Sequence, residues 1–265
     1  MQTIKARGLV LREYEAGESD KRLLLLCKEH GRMMIYARGA RKPKSKFMAA
    51  AQLFTYADFV LARGRGFYAL TQAEVIESFY GIRTDYDCLT AAHLIAEVCE
   101  KTLLEDIACD DLLLLALKSF MHLNKSAQNC DALVDGKNTY NLPPAQIIGV
   151  FFMRFYAQYG LTPEVEACTV CGMDINEISG LSRISGTNGG AYLAAEGLVC
   201  RAHRPGVCIK LSEVAIYTLR HILSSDLSGA FMFKARDDVL AELRGAAQML
   251  WRCHFEWNLM AEKYM

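Results

Sequence analysis

The first 80 residues alternate short apolar runs with glycine-containing turns. Five segments have the composition and spacing of β-strands, at residues 4–14, 21–28, 31–39, 53–63 and 67–77. Gly17, the His30–Gly31 pair and the sequence RGRG at 63–66 supply turns between them. Five short strands in a segment of this length predict a small closed barrel. An OB-fold is the commonest barrel of five strands, and an SH3-like barrel is the alternative.

Beyond residue 83 the apolar positions recur with helical spacing. The pattern predicts helices at about 86–105, 110–124, 142–160, 212–224 and 236–263. Asp85 or Asp87 is expected to cap the first helix, and Ser212 the fourth. The polar segment 125–140 is predicted to be a loop. The chain is therefore expected to be an α+β protein, a barrel followed by a helical region.

Charge is divided unequally between these two regions. The chain has 30 basic and 30 acidic residues, but residues 1–83 contain 15 basic and 8 acidic ones, a net charge of +7, and the remainder carries −7. The sequence ARGARKPKSK contributes five cations and no acid, namely Arg38, Arg41, Lys42, Lys44 and Lys46. Such a concentration indicates a polyanionic partner, above all nucleic acid. The alternative is a loop whose charges are simply solvated.

More cations lie on the adjoining predicted strands and turns, at Lys21, Arg22, Arg32, Arg63 and Arg65. Together with the loop they would form a groove that follows the phosphates of a DNA strand. Aromatic side chains could add stacking surfaces where they face outward, and core packing is the alternative for each of Tyr36, Phe47, Phe54 and Phe67. No pattern indicates base-specific contacts, so binding is expected to be independent of sequence and sensitive to salt.

Clustered cysteines lie between the third and fourth predicted helices. Cys168 and Cys171 form a C-x-x-C pair, and Cys200 and His203 form a C-x-x-H pair after a segment rich in glycine and serine. Two such turns can close a tetrahedral zinc site, and four protein ligands would make that Zn²⁺ structural. Cys208 is the alternative fourth ligand. Unrelated thiols, or a redox-active C-x-x-C pair, are the alternatives to zinc.

Neither an enzyme nor a membrane protein is indicated. No G-x-x-x-x-G-K-[ST] motif occurs, and the other histidines have no paired ligand or nucleophile nearby in sequence. The longest apolar run, LLLLAL, is far shorter than the roughly 20 residues of a membrane-spanning helix. The basic N-terminus has no signal-peptide core. We expect a cytoplasmic, non-enzymatic, nucleic-acid-binding protein. The alternatives are a zinc-dependent nucleic-acid enzyme and an OB-fold RNA-binding protein.

Three segments resemble the RecO family of bacterial DNA repair and recombination mediators: VLREYEAGESDKRLLLL, HGRMMIYARGARKPKSKF and RGRGFYALTQAEVIESF. The first contains the family's acid-x-Asp turn, here Glu18 and Asp20, and the second its glycine-led third strand and basic loop. The cysteine pairs resemble the family's zinc module, whose last ligand is usually cysteine where this chain has His203. The resemblance implies a DNA-binding OB-fold at 1–82 and a helical domain at 83–265, with a zinc-finger-like insertion at about 165–208.

In function, the resemblance implies a recombination mediator. Proteins of this family bind single- and double-stranded DNA, anneal complementary strands coated with single-strand-binding protein, and act with RecR to load the RecA recombinase. The expected partners are therefore DNA, RecR and the C-terminal tail of single-strand-binding protein, with RecA reached indirectly and the nucleoid as the place of action. The acidic helical half would supply protein contacts, and Arg154 and Arg220 are its candidate cations for the acidic tail.

Overall fold

The computed structural model describes residues 3–103, 107–129, 141–174, 191–256 and 258–259. These residues divide into two compact units. One extends to Asn141 and includes Leu259, and the other runs from Leu142 to Asn258. The first two helices contact the first strand and belong to the same unit as the barrel. The boundary between the two units therefore lies after these helices, and not at residues 82 and 83, where the sequence analysis expected the helical domain to begin.

Five strands form the closed barrel: β1 (Thr3–Ala16), β2 (Asp20–Cys27), β3 (Gly31–Ala37), β4 (Tyr56–Arg63) and β5 (Tyr68–Glu77). Neighbouring strands are antiparallel except for β3 and β5, which close the barrel through the parallel pairs Ile35–Tyr68 and Tyr36–Ala69. The strand order β1-β2-β3-β5-β4 confirms the predicted OB-fold.

Alternation along the strands decides which side chains fill the barrel. Leu23 and Leu25 of β2 and Ile35 of β3 are among the residues of its apolar core. The segment between β3 and β4 also enters this core, because the side chains of Phe47 and Ala51 are buried in it. That segment is therefore part of the barrel and not a free loop.

Strand β4 begins at Tyr56, three residues later than the sequence pattern predicts. The cause is Phe54, whose backbone has a φ of 68° in the left-handed region and cannot continue a strand. Its ring is buried and meets the rings of His93 and Phe120 edge to face, with centroids 5.2 and 5.1 Å apart. An apolar cluster thus selects a backbone conformation that local propensity disfavours.

The described part of the first unit also contains two α-helices, α1 (Tyr86–Thr102) and α2 (Asp110–Asn129). Of the two acids proposed as caps of α1, Asp85 has this role, since its carboxylate accepts a hydrogen bond from the N–H of Cys88 at 2.8 Å. Helix α2 continues five residues beyond its predicted end, through polar residues that include the buried Ser126. The rest of the predicted loop, at 130–140, lies outside the described residues.

The described part of the second unit contains three helices and a small sheet. The helices are α3 (Pro144–Gln158), α4 (Glu213–Ser224) and α5 (Asp237–His254). The strands are β6 (Ala191–Leu193), β7 (Leu198–Val199) and β8 (Ile209–Leu211), which form an antiparallel sheet in the order β7-β6-β8. The sequence analysis missed this sheet because two or three residues are too few to display a strand period.

The aromatic residues of α3 form the core of the second unit, as their helical spacing predicts. Phe152 and Phe155 contact the ring of Trp251, with centroids 5.9 and 6.0 Å apart. Helix α5 ends nine residues earlier than predicted, because the next residue, Phe255, is extended and stacks on Trp251 at 4.2 Å. Ser212 caps α4 as predicted. None of the helices described is long and apolar enough to cross a membrane.

Phe120→Ala is expected to destabilise the first unit by about 3–5 kcal/mol, because removing a fully buried ring leaves a cavity between its aromatic neighbours. Met121→Ala, at the next position of α2 and with 43% of its surface exposed, is the matched control and should cost about 0.5 kcal/mol. Denaturant unfolding followed by circular dichroism measures both. Equal losses would contradict the assignment of Phe120 to the core.

Candidate nucleic-acid interface and metal centre

The basic loop, residues 38–46, begins at a hydrogen-bonded clamp around Asp20. One carboxylate oxygen of Asp20 accepts the N–H of Gly39, and the other accepts the hydroxyl of Tyr36, each at 2.7 Å. Gly39 has a φ of 66°, a conformation that glycine adopts without strain. The N–H of Gly39 is the largest cause of a lowered pKa at Asp20, followed by the Tyr36 hydroxyl. The carboxyl of Asp20 is therefore ionised at neutral pH, and its two hydrogen bonds hold the start of the loop.

The far end of the basic loop is anchored by the next residue, Phe47, whose side chain is buried in the barrel core. The ammonium of Lys46 lies 4.9 Å from the centroid of the Phe47 ring and donates a hydrogen bond to the carbonyl of Thr71 on β5 at 3.0 Å. The loop is therefore anchored at both ends, which limits the positions that its charges can take.

All five cations of the basic loop are exposed, and three of them, Arg38, Lys42 and Lys44, make no contact in the described part of the chain that supports the loop. Within the described residues none of the three forms a salt bridge. Together with Lys46 they line an open depression of about 690 Å³. Arg41 is exposed as well, but its guanidinium lies 3.0 Å from the carboxylate of Glu15. The depression is strongly basic and suited to an anion.

A row of aromatic and cationic side chains crosses the outer face of the barrel beside this loop. Tyr14 on β1 pairs with Arg22 on β2, which pairs with Tyr36 on β3. The guanidinium of Arg22 lies 5.9 Å from the centroid of the Tyr14 ring. Such rows are typical of surfaces on which bases stack. The sequence analysis missed Tyr14, because only the strand register places it beside Arg22.

Two of the predicted DNA-binding cations make internal contacts instead. Lys21 is only 13% exposed, and its ammonium contacts the carboxylate of Glu13 at 2.7 Å and the carbonyl of Ala51 at 3.0 Å. Arg32 donates to the carbonyl of Glu100 in the last turn of α1 at 3.5 Å. The structure gives both side chains a role in the fold, which charge and sequence position alone do not reveal.

The last residue of β4, Arg63, and the turn that follows it, with Arg65, carry the remaining two cations, both exposed. This turn lies beside the middle of β3, since Tyr68 pairs with both Arg63 and Ile35. Phe67, 51% exposed, covers Gly64 so closely that a Cβ there would lie 2.7 Å from the ring. Of the four aromatic residues considered for stacking, Phe67 and the partly exposed Tyr36 remain at the surface, while Phe47 and Phe54 are core residues.

The second candidate site is the cluster of Cys168, Cys171, Cys200 and His203, whose ligand atoms all lie within 4.8 Å of one another. The sulfur of Cys200 is 3.2 Å from Nδ1 of His203, and that of Cys168 is 3.9 Å from it. Tetrahedral zinc, with bonds of about 2.0–2.3 Å, would require separations of about 3.3–3.8 Å. Three thiols and one imidazole therefore fit zinc in chemistry, and their separations lie within about 1 Å of those that a tetrahedral ion requires.

Backbone hydrogen bonds build the turn that presents the first two thiols. The N–H of Cys168 donates to the carbonyl of Met173 at 2.8 Å, and that of Gly172 donates to the carbonyl of Cys168 at 2.9 Å. Gly172 has a φ of 71°, which favours glycine. Thr169 donates to the carbonyl of Leu198 at 2.9 Å and so ties this turn to β7, two residues before Cys200.

Cys168 has the character of a metal-binding thiolate. Burial by itself raises its pKa, but N–H groups of Cys171, Cys200 and Val170 outweigh burial and lower the pKa to about 6. Cys208, the alternative fourth ligand, lies outside the cluster, and its thiol donates to the carbonyl of Pro205 at 3.3 Å.

The two cations considered for an acidic protein tail are also engaged within the second unit. Arg154 donates to three carbonyl groups at the end of α4, at 3.0 to 3.2 Å. Arg220 donates to the carbonyl of Val165 at 2.9 Å and pairs with Glu166 at 2.7 Å. Arg154 is a helix cap, and Arg220 joins α4 to the segment that precedes the cysteine turn.

Comparisons with known proteins agree with one another. The family model described as "Recombination protein O N terminal" matches residues 1–79, and "Recombination protein O C terminal" matches residues 83–263. The DNA repair protein RecO of Acetivibrio thermocellus is 31% identical over 258 residues, 97% of this chain and 94% of that protein. The DNA repair protein RecO of Exiguobacterium sibiricum is 33% identical over 202 residues, which are 76% of this chain and 70% of that protein. The DNA repair protein RecO of Symbiobacterium thermophilum is 27% identical over 258 residues, which are 97% of this chain and 94% of that protein.

Tyr36→Phe removes one donor from Asp20 and is expected to raise the pKa of that carboxyl toward its ordinary value of about 3.9. Because the pKa of Asp20 is lowered on folding, its ionised form stabilises the protein above the unfolded pKa. That stabilisation is lost as the pH falls through the folded value. An NMR titration of the Asp20 carboxyl carbon measures the shift.

Tyr14→Phe is the matched control for this titration. It also removes a hydroxyl from the barrel surface, but one that donates to Glu100 at 3.4 Å. The pKa of Asp20 should therefore stay unchanged in this variant. Equal titration midpoints in the two variants would show that the clamp is not formed as described.

Proposed function

Because the chain belongs to the RecO family of recombination proteins, we propose that it is a non-enzymatic mediator, which binds DNA with its barrel and anneals complementary strands coated with single-strand-binding protein. A role in DNA repair and recombination follows from membership of the family. The observation that carries the proposal is the basic loop, anchored at both ends, with exposed cations that form no salt bridge within the described residues.

Electrostatics explains how such a loop would serve annealing. Two complementary strands repel each other through their phosphates, and cations that neutralise those phosphates release condensed counterions and lower the repulsion. Aromatic faces beside the cations, at Tyr14 and Tyr36, would hold unpaired bases without reading their identity. Binding would thus be independent of sequence, as annealing of arbitrary strands requires.

The proposal includes protein partners. In this role the chain would act with RecR, would contact the C-terminal tail of single-strand-binding protein, and would assist the loading of RecA. The excess of acidic residues beyond residue 83 supports the assignment of protein contacts, and not DNA, to most of that region. Since Arg154 and Arg220 bond within the second unit, we assign neither of them to the acidic tail.

We also propose that Cys168, Cys171, Cys200 and His203 hold one structural zinc ion. When bound, the zinc would join the two turns that carry its ligands. Four protein ligands leave no position for a reactive water, which supports a mediator over a zinc-dependent nucleic-acid enzyme. The chain's own residues supply the thiolates and the imidazole, and the hydrogen bonds of the first turn hold two of the thiols on one side.

The variant Arg38→Glu, Lys42→Glu, Lys44→Glu is expected to lose the annealing of oligonucleotides coated with single-strand-binding protein, an assay done without ATP. The slope of log affinity for single strands against log salt should fall by about 2, or about 0.7 for each phosphate that is no longer neutralised. Arg41 and Lys46 are left unchanged because their bonds support the loop. Gel assays of annealing and fluorescence anisotropy of binding give both quantities.

The matched control is Lys5→Glu, Lys118→Glu, Lys125→Glu, which makes the same charge change in the same unit outside the basic loop. It should anneal strands as the natural protein does. Equal annealing by both triple variants would move the DNA-binding surface away from the loop. A folded natural protein that binds no DNA at low salt would end the mediator proposal, and faster annealing of RNA than of DNA would favour an RNA-binding role.

His203→Ala is expected to weaken zinc binding strongly. Losing an outer-sphere partner typically costs about 10–100-fold in metal affinity, so losing a ligand should cost at least as much. Competition with a chromophoric chelator measures the affinity, and native mass spectrometry counts the ions. Cys208→Ser is the control, and it should keep the natural affinity because its thiol lies outside the cluster. If Cys208→Ser loses zinc and His203→Ala keeps it, the assignment of ligands is wrong.

A further inference from the structure

The turn that presents Cys200 and His203 also carries cationic side chains that are not part of the metal cluster. Residues 197–212 include Arg201, Arg204 and Lys210 and contain no acid. All three side chains are exposed. Within the part of the chain that is described, none of the three forms a salt bridge. This is a local basic surface in the half of the sequence that is acidic on balance.

The small sheet brings two of these cations to one face. Tyr192 of β6 pairs directly with Lys210 of β8, so the two side chains share a side of the sheet. The guanidinium of Arg204 lies 5.0 Å from the centroid of the Tyr192 ring. The neighbouring residues Ala191 and Leu211 are buried on the opposite side. The sheet therefore has one apolar face and one face on which Arg204 and Lys210 adjoin Tyr192, beside the buried Val199 of β7.

We propose that this basic module face, made of Tyr192, Arg204 and Lys210 and extended by Arg201 of the adjoining turn, is a second binding surface for the phosphate backbone of a nucleic-acid strand. The inference rests on the proposed DNA-binding function and extends it beyond the barrel. Arginine offers a planar set of donors that matches phosphate, and stacking on the Tyr192 ring holds that plane in place before binding. Phosphates are the partner that such a face accommodates best.

A protein partner fits this face less well. Protein interfaces depend on apolar and aromatic anchors in addition to charge. In the module face the one aromatic ring is Tyr192, which is half-buried beneath Arg204. The segment 197–212 contains no acid, but Glu196 and Glu213 flank it and the carboxylate of Glu242 accepts the N–H of Ser212.

Two basic surfaces in different compact units give the protein a means to hold two strands. The basic loop belongs to the first unit and the module face to the second. Arg201 follows Cys200 and precedes His203 by two residues, so a metal held by both ligands would also fix the backbone from which Arg201 extends. Nucleic-acid binding at the module face would then depend on the same turn as the metal.

The test uses the full chain with Arg201→Gln, Arg204→Gln and Lys210→Gln. Its matched control, Arg236→Gln, Arg244→Gln, Arg252→Gln, makes the same charge change elsewhere in the second unit. Anisotropy of a labelled oligothymidine strand gives affinity over a range of salt, and titration at high concentration gives the number of strands bound. In the module variant the salt slope should fall by about 2, and the second bound strand should disappear. The control should behave as the natural protein.

Three other results would contradict the proposal, and each of them would identify a different part of it as wrong. A module variant equal to the natural protein, beside a deficient basic-loop variant, would overturn the module face and leave the mediator function intact. A natural protein that binds no strand would remove both. Lost binding of polyglutamate with unchanged binding of DNA would replace the nucleic acid with an acidic protein.

A second variant keeps the test decisive if the triple variant loses its metal or unfolds. Lys210→Gln alone changes one exposed side chain of β8 and should lower the salt slope by about 0.7. Lys210→Arg retains the charge and should restore the natural slope. An unchanged slope in Lys210→Gln would overturn the proposal.

Discussion

The ionised carboxylate of Asp20 organises the surface on which the proposed function rests. By accepting hydrogen bonds from Gly39 and Tyr36, it joins the start of β2 to the end of β3 at the point where the chain leaves the barrel. A single acid thereby holds a strongly basic loop in place, and the buried ring of Phe47 holds the other end. Charges held in this way lose less conformational entropy when they meet phosphates than charges on a free loop.

The segment that contains the cysteines is stabilised by a different kind of interaction. Its strands have only two or three residues, so its apolar face is much smaller than that of the barrel. Its buried leucines, Leu193, Leu198 and Leu211, are supplemented by backbone hydrogen bonds and by the cluster of three cysteines and one histidine. Gly197 permits the closest backbone approach, because any Cβ at this position would collide with the backbone of Glu164. A metal held by the cluster would add stability to this small packed sheet.

The neutral net charge of the chain conceals two local basic surfaces. One lies on the barrel, in the region of net charge +7, and the other is the module face, within a half whose net charge is −7. Because screening limits electrostatic reach to about 10 Å at ordinary salt, a bound phosphate responds to nearby side chains and not to the total charge. A protein with no net charge can therefore bind nucleic acid at particular places.

Local patterns in the amino-acid sequence are enough to specify the barrel, most helices and the four clustered ligands, because strand alternation, helical periodicity and C-x-x-C spacing are properties of neighbouring residues. The use of individual cations depends on the folded chain. Lys21 and Lys44 have the same chemistry, yet Lys21 is mostly buried and bonds to Glu13 and Ala51, while Lys44 is exposed in the basic loop. Partners distant in sequence also set the register that places Tyr14 beside Arg22, and the ring packing at Phe54 that delays the start of β4. No local pattern encodes such contacts.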